Sequence, residues 1–292
     1  MVEAIEAGIG TDHIGAQLHV VRNGRVEADI AVGESRPGVA LSPGTLMPWY
    51  SITKVIAAVA VIQQWDAGRL ALDDPVARHV PEFATAGKEA VTVRHLLTHT
   101  AGLRESGVAP GELEDPSALV ARIAAAELKP GWRPGHRAGY NGRAAFHILG
   151  EIVARLSGRP WADYVHEEIF ERLGMENSWV ALPVERFAAY GDRLAVMPVT
   201  RTQPFTPAAG ADDPAVFAVP LPSRSGVGPM ADAVRPFLML LGGGLLDGER
   251  LLSAPAAEAM VARHRTGMVD ETFGTTIDWG LGIMVNSIHY TG

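Results

Sequence analysis

Ser51-Ile52-Thr53-Lys54 sets a hydroxyl three residues ahead of an amine, at the head of an apolar run. On a helix, positions i and i+3 share a face, so the amine can reach the hydroxyl oxygen. Such a pair can run nucleophilic catalysis. The serine attacks a carbonyl, the lysine takes its proton, and free N–H groups of the first helical turn meet the developing oxyanion. Burial among apolar side chains favours neutral lysine, the form that accepts a proton. The spacing alone is a common coincidence. Against that, lysine is scarce: of 25 basic residues only Lys54, Lys88 and Lys129 are lysines. A lysine inside an apolar helix also needs a reason, because an unpaired buried charge is costly. The structural alternative is that Ser51 caps the helix while Lys54 snorkels to solvent.

The elements around this pair follow from period and punctuation. Residues 16 to 33 form a hairpin, two β-leaning runs about Asn23-Gly24, a pair suited to a tight primed turn. Residues 51 to 70 read as a helix, apolar almost all round and therefore buried, with Gly68 as its stop. Short helices follow at 92–100 and 116–127. Residues 130–142 are a Gly- and Pro-rich loop. Two amphipathic helices come next, one ending at Gly158 and one opening near Pro160. Residues 180–224 lack periodicity and read as irregular. Helices return at 230–244 and 252–264, and 279–292 is a strand candidate. Strands at both ends with helices between them predict an α+β fold. An antiparallel sheet from both chain ends is flanked by helices, beside a mostly helical lobe. The expected division is an α/β lobe of 1–72 and 220–292, and a helical lobe of 73–219.

The 292 residues and 31.0 kDa fit one large domain or two packed lobes. A net charge of −8 argues against nucleic acid or an anionic membrane as partner. Zero cysteines exclude disulfides, thiol catalysis and thiolate-bound metal. The N-terminus has no signal-peptide pattern and no apolar run can cross a bilayer, so a cytoplasmic protein without a membrane partner is expected. His95 and His99 stand four apart but have no carboxylate between them, and read as structure rather than as a metal site. Asp73-Asp74-Pro75 reads as a turn, and Gly242-Gly243-Gly244 lacks the strand–glycine–helix order of a phosphate loop. Trp49, beside Ser51, lines an acyl pocket or packs the core with equal plausibility.

Longer stretches carry a resemblance. "SITK", then "GRLALDDPVARHVPEF", "VTVRHLLTHTAGL", "HILGEIVARLSGRPW" and "IFERLGMENSWV" resemble the serine β-lactamase-like family, over about residues 12 to 285. That family includes class C β-lactamases, D-alanyl peptidases, family VIII-type esterases and transacylases. The resemblance implies a β-lactamase/transpeptidase-like fold, Ser51 as nucleophile and Lys54 as its base. It implies that Tyr140 faces the nucleophile with a lowered pKa, as base and later as acid. Asn141 follows Tyr140 directly, and Gly142 stands where the Asn of a Tyr-x-Asn motif is found, so Asn141 is carried over only as a substrate-binding candidate. The family's third motif, which supplies an oxyanion N–H, has Tyr290-Thr291-Gly292 as a degenerate match; the alternative is that the motif lies beyond Gly292 and that the chain is a fragment. The resemblance implies no cofactor. The expected function is a serine hydrolase or acyltransferase acting on an ester or amide through a Ser51 acyl-enzyme, esterase-like. The alternatives are a β-lactamase or D-alanyl carboxypeptidase, and a silent binding protein on the same fold.

Overall fold

A computed structural model of the chain describes residues 2–105, 115–199 and 205–285. After a short helix α1 (Val2–Glu6), strands β1 (Gly15–Arg22) and β2 (Arg25–Arg36) form the expected antiparallel hairpin. Asn23 and Gly24 both have positive φ, 51° and 74°, the primed geometry that matches strand twist. A register shift at Val20/Val21 bulges the ladder, and β3 (Val39–Ala40) pairs on β2.

The core is built on helix α2 (Thr53–Asp66), buried on every side from Thr53 to Ile62. Its Ala and Val side chains are small enough for neighbours to approach all round. It packs on α5 (Ala144–Ser157) and, more lightly, on α6 (Trp161–Val165). Between them in the chain come α3 (Val93–Leu97) and α4 (Pro116–Ala125). Both pack on α5. Apolar residues of α2 to α6 belong to one continuous cluster. Helix α5 ends where its sequence predicts, at Gly158 in the left-handed conformation that glycine tolerates. Helix α6 runs into a π-helical turn at His166–Glu171 rather than continuing as α-helix.

Three expectations are corrected. Residues 180–224 are not wholly irregular: α7 (Val184–Tyr190) and α8 (Pro214–Ala218) lie there, with Phe187 against Phe217 at 5.3 Å. Helices this short hold too few turns to show a period, and the prolines that read as breakers start them. Helix α2 begins at Thr53, after a 3-10 turn at Tyr50–Ile52 that contains Ser51. The strand candidate at 279–292 is not a strand in its described part. Gly280 N donates to Ile283 O and Trp279 bridges Met284, so the chain doubles back. Gly282 has φ 79°, and a Cβ there would lie 2.3 Å from Ala58 Cβ, so only glycine seats this turn on α2. Among the described residues the sheet holding β1 and β2 therefore gains no C-terminal strand. Tyr290, Thr291 and Gly292 lie outside the described residues. Among the described residues no helix is long and apolar enough to cross a membrane.

Candidate active site

Ser51 is presented by strain and anchorage. Tyr50 before it has φ 46°, unusual for a residue with a side chain, and turns the backbone sharply so that Ser51 faces outward. On the other side the segment is tied to a distant strand. β4 (Met47–Pro48) pairs with Val227–Gly228, Trp49 N donates to Gly226 O (2.7 Å), and Trp49 Nε1 donates to Gly228 O (2.9 Å). Gly226 N donates to Thr53 Oγ1 at 2.9 Å. A Cβ on Gly226 would lie 2.8 Å from both Thr53 Oγ1 and Trp49 Cε3, so the two segments meet this closely because that residue is glycine.

This tie brings Ser223 to Lys54. Lys54 Nζ donates to Ser223 O (2.8 Å) and to Ser51 Oγ (3.2 Å), and it lies 5.3 Å from the Tyr140 ring and 5.6 Å from the Phe146 ring. Neither half of the structural alternative holds. No side chain caps the start of α2, and Lys54 is 4% exposed rather than snorkelling. Burial pulls the Lys54 pKa down to about 8; Glu105 works against that, while Arg224 and Arg143 add to it. His147 backs this arrangement from α5. Its Nε2 lies 3.3 Å from Ser223 Oγ, and burial, helped by Arg224, Lys54 and Arg143, pushes its pKa to about 3, so it stays neutral.

Tyr140 comes from the 130–142 loop, 89 residues along the chain, and its Oη donates to Ser51 Oγ at 2.8 Å. Ser51, Lys54 and Tyr140 are thus brought together, as the sequence predicts. The lowered phenol pKa implied for Tyr140 is corrected. Burial pushes it up and Glu105 adds to that, against a smaller pull from the Ser51 bond, so the phenol is a proton donor in the resting site. The group poised near neutrality is Lys54. Together with Tyr50, Glu105, Gly142, Arg143, Ser223 and Arg224, Ser51 and Lys54 line a cleft of about 370 Å³.

Neither Trp49 nor Asn141 lines that cleft. Trp49 is buried, edge-on to Phe170 at 6.1 Å, with its indole N–H on Gly228 O. Asn141 is also buried. Its Nδ2 donates to Leu103 O (3.0 Å) and its Oδ1 accepts from Ala145 N (2.9 Å), which closes the first turn of α5. The substrate-binding expectation for both is replaced by a structural role, because every side-chain polar atom is already engaged inside the protein. Asn141→Ala should lower the unfolding free energy by about 2 kcal/mol, since a buried N–H and a buried carbonyl lose their partners. Urea denaturation followed by circular dichroism checks this.

Ser223, His147 and Glu105 were not legible as site residues, because each reaches the site only through long-range packing. His99 is likewise buried against Tyr140, with ring centroids 4.7 Å apart, while His95 Nδ1 accepts Thr92 N in the capping box of α3. Among the described residues no group of three or more His, Asp or Glu side chains could hold a metal ion.

Comparison with known proteins places the whole chain rather than the individual site residues. The chain is 34% identical over 197 residues to Esterase EstB of Burkholderia gladioli, a match spanning 60% of this chain and 49% of that protein. The chain thus spans about half the length of that esterase. It is 32% identical over 283 residues to Penicillin-binding protein 4 of Amycolatopsis lactamdurans, covering 92% of this chain and 70% of that one. A family VIII carboxylesterase crystal structure superposes with a TM-score of 0.82 and 28% identity, covering 98% of this chain and 80% of that one. The fold is β-lactamase/transpeptidase-like, with helices and antiparallel sheets mixed. The Beta-lactamase family model matches residues 2–292, and this chain, with Ser51 and Lys54 at the wall of a cleft and Tyr140 bonded to Ser51, belongs to the Beta-lactamase family.

Proposed function

We propose that the protein is a serine hydrolase or acyltransferase that acts on an ester or amide through a Ser51 acyl-enzyme, with ester hydrolysis favoured. The observation that carries this is Ser51 Oγ lying within hydrogen-bond reach of both Lys54 Nζ and Tyr140 Oη at the wall of a cleft. When Lys54 is neutral, the 3.2 Å contact reverses direction and the Ser51 O–H donates into Nζ. Ser51 Oγ then bonds to the substrate carbonyl carbon as its proton passes to Lys54. The Ser51 N–H, in a first turn that supplies it no helical acceptor, meets the oxyanion. Collapse breaks the bond to the leaving oxygen, which takes a proton from Tyr140, and Lys54 returns its proton to the phenolate. Water or another hydroxyl or amine next attacks the acyl carbon, gives its proton to Lys54, and Ser51 is regenerated as its oxygen recovers that proton.

Ester is favoured over amide for two reasons. The position after Asn141 is Gly142, so the cleft has no side-chain amide there to hold an amide carbonyl. The similarity to an esterase and to a carboxylesterase points the same way. The similarity to a penicillin-binding protein over 92% of this chain supports a second reading, acylation by a β-lactam or a D-alanyl peptide. We also infer two lobes, 1–72 with 220–292 and 73–219. Ser51, Lys54, Ser223 and Arg224 would reach the cleft from one, and Glu105, Gly142 and Arg143 from the other, with Tyr140 bonded to Ser51 across the two.

Labelling with a fluorophosphonate, followed by peptide mass spectrometry, tests the reading. An adduct on Ser51 together with turnover of a p-nitrophenyl ester supports it. No adduct on the folded full-length protein overturns it in favour of a silent binding protein. An adduct with penicillin but no ester turnover favours the second reading.

Two kinetic outcomes follow. Tyr140→Phe removes the proton donor to the leaving oxygen and should lower kcat by about 10²- to 10³-fold. Lys54, with a pKa of about 8, is mostly protonated at neutral pH. Its proton-accepting form grows as pH rises, so kcat/KM should climb about tenfold from pH 7 to 9 and then level. A pH profile falling over that range would contradict Lys54 as the base.

A further inference from the structure

The phenol of Tyr140 must stay on Ser51, yet Tyr140 sits in a loop. What holds it is a set of bonds from two other segments. Three successive N–H groups are taken up: Gly139 N by His99 O (3.1 Å), Tyr140 N by Asp270 Oδ1 (3.0 Å) and Asn141 N by His99 Nδ1 (3.1 Å). The Tyr140 carbonyl accepts from Thr272 Oγ1 at 3.0 Å, and the Phe273 ring lies 5.1 Å from the Tyr140 ring. Asp270 is the node of this clasp. Its Oδ1 also accepts Thr272 N (3.0 Å) and Phe273 N (3.3 Å), which fixes the 270–274 turn that carries Thr272 and Phe273.

Behind Asp270 stands Arg265, 3.1 Å from Oδ2, and both side chains are sealed from solvent. Arg265 also donates to Thr98 O (3.1 Å) and to Ile277 O (3.1 Å) and lies over the Trp279 ring. Thr98 adjoins His99, so Arg265 braces both holders of the Tyr140 loop. A desolvated ion pair is a poor way to gain stability, since apolar residues of the same volume do as well. An apolar residue at 270 could not accept three N–H groups at one point.

Building on the reading of Ser51 as nucleophile and Tyr140 as its partner, we propose that Asp270, backed by Arg265, is the positioning residue of the site: it locks the 270–274 turn onto the 139–141 loop and so fixes the phenol oxygen over Ser51. Asp270 does not line the cleft and reaches the reaction only through Tyr140.

The test uses full-length protein, wild type and Asp270→Asn, Thr272→Val and Thr272→Ser, each labelled with 3-fluorotyrosine. The Tyr140 fluorine resonance is assigned with Tyr140→Phe, and kcat and KM are measured with a p-nitrophenyl ester. Asp270→Asn should lower kcat by about 10²-fold, the effect of a small misplacement, with KM nearly unchanged, and should shift the Tyr140 resonance. Thr272→Val should lower kcat about fivefold for one lost hydrogen bond, and Thr272→Ser should restore it. A folded Asp270→Asn with wild-type kcat and an unmoved resonance overturns the proposal. If Asp270→Asn does not fold, the Thr272 pair decides: Thr272→Val with wild-type kcat and resonance overturns it equally. The resonance separates this inference from the catalytic reading. If wild type turns over no ester, that reading fails, while a shift in Thr272→Val still supports the clasp.

Discussion

Ser51→Ala is expected to lower kcat/KM for a p-nitrophenyl ester by at least about 10⁴-fold, because no acyl-enzyme can form without its nucleophile. Fluorophosphonate labelling should vanish at the same time. Stability should hardly move: Ser51 is exposed and caps no helix, and substitutions away from packing and caps stay within about 0.5 kcal/mol. The combination of lost activity with an unchanged melting curve is diagnostic. A variant that kept a tenth of the wild-type rate would show that the nucleophile lies elsewhere, whatever its contact with Lys54 suggests.

Lys54→Met should move activity and stability in opposite directions. Methionine keeps the length and loses the amine, so Ser51 loses its proton acceptor and kcat should fall by about 10³-fold. Folding, by contrast, is relieved of a buried ammonium. The Lys54 pKa is about 8 in the folded state against an ordinary 10.5. At about 1.4 kcal/mol per pKa unit, the charged form is disfavoured by roughly 3 kcal/mol. Methionine leaves Ser223 O without its donor, which returns about 1 kcal/mol. The net expected gain is about 2 kcal/mol.

The sign with pH is fixed by the direction of the shift. Because the folded pKa lies below the unfolded one, the unfolded chain binds more protons between pH 8 and 10.5, and wild-type stability rises with pH across that window. The cost of burying the ammonium is fully present below about pH 8. The advantage of Lys54→Met should therefore be largest below pH 8 and shrink toward pH 10.5. Urea titrations of both proteins at pH 7 and at pH 10 measure it. An equal advantage at both would sink the idea of a lysine strained by burial. Such an outcome pair is what a functional site placed against stability predicts.

The sequence by itself determined the features that local chemistry encodes. Asn23-Gly24 dictated a primed hairpin because few residue pairs accept two positive φ values. Gly158 ended α5 because a left-handed cap favours glycine. The all-round apolar pattern of α2 announced a central buried helix, and Lys54 within it announced a site, since a helix this apolar tolerates an amine only where it has partners. Tyr140 is marked only through the resemblance of its surroundings to the serine β-lactamase-like family. What only the tertiary structure decided are the relations across long stretches of chain. Ser223 holds Lys54 from 169 residues away, and Asp270 holds Tyr140 from 130. No local pattern marks either, because a single serine or aspartate carries no period and its role is set by where the backbone returns. The same holds for direction. The sequence could not say that Asn141 turns inward to α5, that Tyr140 keeps its proton, or that residues 279–285 fold back on α2 instead of joining the sheet. Burial decided each of these, and burial is a property of the packed chain rather than of any residue in it.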